Sequence, residues 1–377
     1  MTSPPQRRHG FFRKKSTRII LLVLAVAIAA FWFTRPAATP PRTSGEKMRA
    51  VVYHEYGTAD VLSLEAVDQL LPEDHQVLVK VRAAAANPLD WHYMRGTPYV
   101  MRVLGTGLLE PSSARLGADM AGEVVAVGRN VTTFKPGDAV FGTGGGAFAE
   151  YVRASAAKIV RKPAALSFEQ AAAVPVAALT ALQGLRDKGR IRAGQKVLIN
   201  GASGGVGTFA VQIAKSYGAE VTGVCSTRNV DLVRSLGADH VVDYALEDVT
   251  RGEQRYDLIL DNVGTRPLSE FRRVMSPQGI YVLIGGGGPD DGRWIGPLVG
   301  PVKALLYSPF VSQDFVSLMA EINAADLEVM VRLMSSGKVT PVIDRTYPLQ
   351  EVPAAIRYLE QGRARGKVII TVGGPAS

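Results

Sequence analysis

The residues best suited to chemistry form a glycine-rich turn, Gly201–Gly207, which reads GASGGVG. It follows the apolar run Lys196–Asn200, a predicted strand, and opens into Gly205–Tyr217, whose apolar residues recur at the spacing of an amphipathic helix. Glycines in such a turn let the backbone approach a phosphate, and the N–H groups at a helix start face its charge. A purely structural tight turn is the alternative, but the flanking strand and helix favour a dinucleotide-binding site.

The residues that select between NAD and NADP are expected one strand later, after Glu220–Cys225. NAD sites typically carry an acidic residue about 20 positions past the glycines, where it binds the ribose hydroxyls. This sequence has Ser226, Thr227 and Arg228 there, and its next acid is Asp231. Hydroxyls and a guanidinium suit a 2′-phosphate, so the sequence favours NADP(H). The alternative is that Arg228 only caps or solvates the following helix.

The rest of the chain contains two regions with different sequence patterns, and these regions must position the residues above. From Met48, short β-like runs are separated by turns such as Pro136-Gly137-Asp138, which indicates a β-rich lobe. From about residue 170, buried strands alternate with amphipathic helices, which predicts a parallel, doubly wound α/β sheet. A further helix is expected over 325–340, and the tail returns to a strand at Gly366–Ile370.

Composition narrows the classes of function. The 377 residues are 47% hydrophobic and 20% charged, which is enough apolar material for a large core. The formal charge of +9 is concentrated in residues 1–45, which hold eight basic residues and no acid. The remainder is close to neutral, so no nucleic-acid partner is expected. With one cysteine, Cys225, and five scattered histidines, neither a disulfide framework nor a metal site is expected.

The N-terminal segment, residues 1–47, differs from the rest of the chain in its composition. Ile19–Phe33 is an uninterrupted apolar run of 15 residues with basic residues before it. We interpret residues 19–34 as a single-pass membrane anchor, with the N-terminus on the cytoplasmic side and a Pro/Ser/Thr-rich linker up to residue 47. A cleaved signal peptide and a buried core helix are the alternatives. The side of the membrane that holds the rest of the chain stays open.

Several blocks of the sequence occur together in one known family. They are Asn87-Pro88-Leu89-Asp90, LGADMAGEVVAVG (116–128), AFAEYV (147–152), AAAVPVAALTAL (171–182), GASGGVG and the ending RARGKVII. From about residue 48 to 372 the chain resembles the medium-chain dehydrogenase/reductase superfamily. Within it, the chain is similar to the zinc-independent quinone oxidoreductase branch, which includes zeta-crystallin.

The resemblance implies a discontinuous architecture. A GroES-like catalytic lobe would comprise residues 48–170 and return over 311–377, with a Rossmann NADP-binding domain at 171–310 between. The pyrophosphate would lie on Gly204, Gly205 and Val206, and the 2′-phosphate near Ser226, Arg228 and Tyr244. Residues expected near the nicotinamide are Asn87, Thr180, Asn262, Val263, Ile284, Gly285 and, as a weaker candidate, Lys367.

The chain departs from the zinc-dependent members of this superfamily. Those enzymes place a cysteine near the position of Asp90 and a histidine within the stretch 117–119, and neither ligand occurs here. Without a Lewis acid, a hydride acceptor must already be activated, as quinones and α,β-unsaturated carbonyls are. We expect a small lipophilic quinone or enone as the substrate, with Asn87, His92 and Tyr93 as candidate catalytic donors. A purely structural role for His92 is an equal alternative.

Two functions of different classes therefore remain. The first is a membrane-tethered NADPH-dependent reductase of quinones or enones. The second is an NADPH-binding redox-sensing or scaffolding module with little turnover, since fold alone does not fix function. The resemblance also implies a possible homodimer.

Overall fold

The computed structural model describes residues 42–285 and 311–373, together with Gly288, Trp294 and Gly296. The predicted anchor lies outside the described residues. No helix in the described part of the chain is both long enough and apolar enough to cross a membrane. The end of the predicted linker is instead the first strand, because Thr43–Val52 forms a hairpin with Ser63–Leu70 and Ser44 Oγ donates a hydrogen bond to the Gln69 carbonyl.

The strands and helices alternate as the sequence suggests. The strands are β1 Thr43–Val52, β2 Ser63–Leu70, β3 Gln76–Ala86, β4 Asp119–Val127, β5 Ala139–Thr143, β6 Tyr151–Ser155, β7 Ile159–Arg161, β8 Lys196–Asn200, β9 Glu220–Cys225, β10 His240–Asp243, β11 Tyr256–Asp261, β12 Met275–Leu283, β13 Asp314–Ser317, β14 Ile343–Pro348 and β15 Lys367–Thr371. The helices are α1 Pro88–Arg95, α2 Tyr99–Met101, α3 Phe168–Ala172, α4 Pro175–Gln183, α5 Gly205–Ser216, α6 Val230–Ser235, α7 Leu268–Arg273, α8 Ala324–Ser335 and α9 Val352–Glu360.

Six parallel strands form the Rossmann sheet in the order β10-β9-β8-β11-β12-β13. Their apolar residues are buried on both faces, as a parallel sheet covered by helices requires. Strand order reverses between β8 and β11, so the loops after these two strands diverge and leave a crevice at their carboxyl ends. This crevice is where the phosphate loop lies.

The catalytic lobe is built around a second sheet in the order β14-β15-β3-β4-β5-β7, with β6 also paired to β3. Strand β15 lies between β14 and β3, running parallel to the first and antiparallel to the second. The lobe is therefore assembled from both ends of the described chain.

The chain leaves the Rossmann domain later than residue 310, where the sequence placed the boundary. Strand β13 pairs with β12 in the Rossmann sheet, and Leu327, Met330 and Met334 of α8 belong to the core that contains β8 and α5. A four-residue strand after a long apolar segment has no distinctive pattern, so the sequence does not reveal it. Helix α8 also ends at Ser335, before the predicted residue 340, because Gly337 adopts a positive φ of 71°.

Helix α4 joins the two domains. Nearly every residue of it is buried, and it packs on α5 of the Rossmann domain. The same core cluster includes Ala83 and Phe141 of the catalytic lobe. Apolar packing therefore continues from one domain to the other through α4.

Candidate active site

A cleft of about 940 Å³ opens at the carboxyl ends of β8 and β11, between the two lobes. One wall is the loop after β8 and the start of α5. The opposite wall is formed by the end of β3, the start of α1 and the segment that leads into β15. The cleft therefore has a Rossmann side and a catalytic-lobe side.

The phosphate loop is shaped by two glycines. Gly201 adopts a φ of +75°, which turns the chain sharply after β8. A Cβ on Gly207 would lie 2.1 Å from the Gly201 carbonyl oxygen, so only glycine lets α5 start so close to the turn. Gly204 caps α5 in an extended conformation, and the N–H groups of the first helical turn have no intrahelical acceptor. These groups form a cradle for an anion.

The loop after β9 forms the second part of the Rossmann wall. Asn229 Nδ2 donates to Ser203 Oγ at 2.9 Å and to Ser226 Oγ at 3.2 Å, linking this loop to the phosphate loop. Arg228 Nη2 donates to the carbonyl oxygen of Arg363 at 2.5 Å, across the cleft. The side chain of Arg228 thus contacts the backbone of Arg363, so the two lobes touch at this end of the cleft.

The loop after β11 is fixed by hydrogen bonds to the buried carboxylate of Asp261. Asp261 accepts hydrogen bonds from Tyr281 Oη at 2.5 Å and from Asn200 Nδ2 at 2.8 Å. It also accepts from the backbone N–H groups of Val263 at 2.9 Å and Gly264 at 3.1 Å. These bonds fix the loop that contains Val263 at the edge of the cleft.

A buried polar cluster forms the floor of the catalytic-lobe side. Lys367 Nζ donates to Asn87 Oδ1 at 2.6 Å and to Asp119 Oδ2 at 3.2 Å. The Asn87 amide donates to Asp119 Oδ2 at 3.0 Å and to the Ala85 carbonyl at 3.2 Å. The other oxygen of Asp119 accepts from the Val176 N–H, at the start of α4, at 2.9 Å. Every polar atom of the Asn87 side chain is therefore engaged.

Asp90 lies beside this cluster and is engaged differently. Its two oxygens accept from the backbone N–H groups of Asn87 at 2.7 Å and Gly117 at 3.1 Å, which makes it part of the cap of α1. Burial raises the pKa of Asp90 to about 7, with the nearby Asp119 charge adding to the rise. Burial also raises the pKa of Asp119, against the opposing attraction of Lys367.

The cleft fits a dinucleotide. The side-chain oxygens Asn229 Oδ1 and Asn262 Oδ1 are buried in its wall without a hydrogen-bond partner in the described part of the chain. Unsatisfied buried polar atoms are rare in folded proteins, and here they accompany a helix start that presents free N–H groups. Both features suit a long ligand that carries phosphates at one point and polar groups along its length.

Comparison with known proteins decides the family. Residues 73–164 match the alcohol dehydrogenase GroES-like domain, and residues 236–370 match the zinc-binding dehydrogenase family. The chain is 35% identical over 391 residues to the mitochondrial NAD(P)H oxidoreductase RTN4IP1 of Mus musculus, which covers 92% of this chain and 97% of that protein. The chain belongs to the medium-chain dehydrogenase/reductase superfamily.

Two further relatives narrow the branch. The trans-enoyl reductase pgmF of Aspergillus terreus is 38% identical over 325 residues, or 79% of this chain and 86% of that protein. The solved structure of a quinone oxidoreductase from Coxiella burnetii superposes with a TM-score of 0.78 at 31% identity, over 87% of this chain and 100% of that one. The chain lies in the zinc-independent quinone oxidoreductase branch, as the sequence motifs predicted. The predictions of an NAD(P)H-dependent oxidoreductase and an NADP(H) cofactor are confirmed.

The oxidoreductase brings most of the predicted cofactor residues to one cleft. Its lining includes Gly204, Gly205, Val206, Ser226, Arg228, Tyr244, Asn262, Val263, Lys367 and Asn87. Thr180, Ile284 and Gly285 are not part of the lining. The Thr180 hydroxyl donates to the Val176 carbonyl at 2.6 Å, within its own helix, and the Ile284 N–H donates to the Asp261 carbonyl at 2.9 Å.

His92 and Tyr93 lie on α1 and do not line the cleft. His92 Nδ1 donates to the Thr97 carbonyl at 2.8 Å, and burial lowers the pKa of His92. The neutral ring then has its other nitrogen, Nε2, as an acceptor. Tyr93 is 36% exposed, and its hydroxyl makes no hydrogen bond within the described residues.

The sequence did not single out Ser203, Asn229, Asp119 or Arg363 as site residues. Ser203 lies inside the glycine-rich motif and Asn229 lies three positions past Ser226, so both are close to positions that the sequence analysis did mark. Asp119 is buried and ion-paired with Lys367, 248 residues away in the chain, and no local pattern reveals that contact. Among the described residues, no three histidine, cysteine or acidic side chains are grouped as a metal ligand set.

Proposed function

We propose that this oxidoreductase reduces a quinone or an α,β-unsaturated carbonyl with NADPH. The observation that carries the proposal is the engagement of the two buried carboxylates beside Asn87, those of Asp90 and Asp119. Asp90 accepts from two backbone N–H groups, and Asp119 accepts from Asn87, Lys367 and Val176. These oxygens already have protein donors, so they form no open ligand set for a Lewis acid. The acceptor must then be activated by its own conjugation.

When bound, the reduced nicotinamide supplies a hydride. The protein supplies orientation and charge. Lys367 is 3% exposed, and its ammonium fixes the Asn87 carboxamide at the floor of the cleft. A cation held in a poorly solvated site favours negative charge that develops nearby on a substrate oxygen. Asn87 thus has a fixed orientation, although its own N–H groups are occupied within the protein.

A reduced quinone or enone also needs a proton. Tyr93 has an unpartnered hydroxyl among the described residues, and we propose it as the side-chain donor of α1 that is free to act. His92 would need to be an imidazolium to donate from Nε2, and its lowered pKa opposes that state. Asn87, Tyr93 and His92 remain our catalytic candidates. Their order of importance is Asn87 for positioning, then Tyr93, then His92.

The preference for NADPH over NADH rests on the end of the cleft near β9. Ser226, Arg228 and Tyr244 lie there, and the loop contains no acidic residue that would bind unphosphorylated ribose. Arg363 reaches the same end from the catalytic lobe. Along the other walls, Asn262, Val263 and Lys367 are proposed to face the nicotinamide half, with Thr180, Ile284 and Gly285 as supporting residues behind them.

We also propose that residues 19–34 tether the enzyme to a membrane, which would suit a lipophilic acceptor. The apolar run and its basic flank support this, and carbonate extraction of membranes from cells expressing the full chain tests it. Retention in the pellet is expected, and release of the full chain into the supernatant would contradict the tether. A homodimer is a second structural proposal, tested by the mass of the purified protein in light scattering.

The activity is tested by following nicotinamide absorbance with the full-length protein. NADPH and NADH are each offered with a quinone, a long-chain enone and a saturated ketone of similar size. We expect oxidation of NADPH with the quinone or the enone and little with the saturated ketone. NADPH binding without oxidation by any acceptor would instead favour the redox-sensing or scaffolding module.

A further inference from the structure

The amide of Asn229 connects two serine hydroxyls in the cofactor cleft. Asn229 is 5% exposed, and its two Nδ2 hydrogens go to Ser203 Oγ at 2.9 Å and Ser226 Oγ at 3.2 Å. Ser203 belongs to the phosphate loop, and Ser226 follows β9. All three residues line the cleft. One buried side chain therefore spans the two segments that would meet the two phosphate-bearing parts of NADPH.

The direction of these bonds determines what each hydroxyl can do. A serine hydroxyl has one hydrogen to donate and lone pairs with which to accept. Both hydroxyl oxygens here accept from Asn229, and neither hydroxyl donates a hydrogen bond within the described part of the chain. Each therefore keeps a hydrogen for an acceptor outside the protein. A phosphate oxygen is the strongest such acceptor in a cofactor of this class.

We propose that Asn229 is a positioning residue that sets the preference for NADPH over NADH. It keeps Ser203 as a donor to the pyrophosphate, which both cofactors share, and Ser226 as a donor to the 2′-phosphate, which only NADPH carries. This inference rests on the proposed NADPH-dependent function. Asn229 itself touches the serines and acts on the phosphates through them.

Capping of the short helix α6 does not account for this arrangement. Asn229 is the residue before Val230–Ser235, but its side chain makes no capping hydrogen bond to that helix. Its backbone N–H donates to the Ser226 carbonyl at 2.8 Å, which closes the turn without help from the amide. The two hydrogens of the Asn229 amide thus go to the two serine hydroxyls and not to the helix.

The test measures the dissociation constants of NADPH and NADH for the full-length protein by fluorescence titration, with no acceptor present. Asn229→Asp keeps the size of the side chain but replaces the donor by a group that only accepts. Both serine hydroxyls would then turn towards the carboxylate. We expect the ratio of the NADH to the NADPH dissociation constant to fall at least about tenfold in Asn229→Asp, and by about tenfold in Asn229→Ala.

A double variant shows whether the effect passes through Ser226. Ser226→Ala should lower the same ratio, and adding Asn229→Ala to it should lower the ratio no further. The matched control is Ser235→Ala, which removes an exposed hydroxyl from α6, the helix that follows Asn229. This variant should leave the ratio unchanged. The thermal midpoint without cofactor shows whether a variant is folded, because NADH binding also weakens when Asn229 no longer orients Ser203.

Two results would overturn the proposal. One is an undiminished ratio in Asn229→Ala or Asn229→Asp, and the other is an equal loss from Asn229→Ala with and without Ser226. A parent protein that binds NADH as tightly as NADPH would overturn the proposed cofactor preference as well. Absence of acceptor reduction, with the ratios as expected, would count against the reductase and leave the role of Asn229 standing.

Discussion

At the scale of single residues, the Lys367 ammonium holds the cleft floor together. It is buried with Asp119, whose side chain has no solvent exposure, and it orients Asn87 at 2.6 Å. Removing one partner of a buried ion pair leaves an uncompensated charge, which is far more costly than removing both. The stability of the site therefore depends on the pair and not on either charge alone.

Lys367→Met should lower the free energy of unfolding by about 3 kcal/mol, because it leaves the Asp119 carboxylate buried without its cation. Urea denaturation at pH 7 measures this change. The double variant Lys367→Met, Asp119→Asn removes both charges and should recover part of the loss. A double variant no more stable than Lys367→Met would contradict this account.

Asp90 makes the stability depend on pH in an unusual direction for a carboxyl group. Its pKa is raised to about 7 in the fold, from an ordinary value near 3.8. Between these values the native state binds a proton that the unfolded state has released, so the group weakens the fold as the pH rises from about 4 to 7. Asp90→Asn abolishes this contribution, and its stability relative to the parent should rise over that range by a few kcal/mol. Urea midpoints at several pH values measure the difference, and a gap that does not change with pH would refute the assignment.

These residue contacts are also where the sequence gives least information. Asn87 and Lys367 are 280 residues apart, and Asp119 lies between them in a strand of its own. The sequence marked Asn87 by its motif and Lys367 only by the family resemblance. Their meeting with Asp119 depends on β15 entering the sheet beside β3, and that pairing has no local signature.

At the scale of elements, sequence patterns are much more informative. The apolar runs at 196–200, 220–225 and 256–261 coincide with β8, β9 and β11, because buried parallel strands need continuous apolar sequence. The start of α5 at Gly205 also agrees with the glycine-rich motif. Strand β13 and the end of α8 were not predicted, because a short edge strand and a glycine stop depend on neighbours far along the chain.

The junction of β8 and α5 supports a prediction with a built-in control. Gly207→Ala would place a methyl group 2.1 Å from the Gly201 carbonyl oxygen, so the helix start must shift. Gly204→Ala meets nothing closer than 3.5 Å, also the Gly201 carbonyl oxygen. We expect Gly207→Ala to lower the free energy of unfolding by about 2 kcal/mol or more and Gly204→Ala to change it by less than about 1 kcal/mol. Denaturation without cofactor compares them, and equal losses would show that the close approach is not the cause.

At the scale of the whole molecule, the cofactor cleft joins two lobes that also share a core through α4. Arg228 of the Rossmann domain already reaches the Arg363 carbonyl of the catalytic lobe. A ligand that binds along this cleft contacts both lobes, so its binding energy stabilises their shared arrangement.

NADPH should therefore raise the thermal midpoint of the full-length protein more than NADH does at the same concentration. At about 100 times the dissociation constant, a ligand adds about 2.7 kcal/mol, and we expect a rise on the order of 5 °C. Differential scanning fluorimetry measures both shifts. Arg228→Gln should narrow the difference between the NADPH and NADH shifts, whereas an unchanged difference would show that Arg228 does not contribute to it.

The position of β15 also bears on how the protein is made. During synthesis, β3 to β7 leave the ribosome long before Lys367–Thr371, while the Rossmann strands between them are already complete. Domains generally fold as they emerge, so the Rossmann domain can fold first. The sheet of the catalytic lobe then still lacks the strand that lies between β14 and β3. Asp119 lacks its cation throughout that interval. Pairing of β15 with β14 and β3 also brings Lys367 to the buried carboxylate, so closing the sheet completes the ion pair of the site.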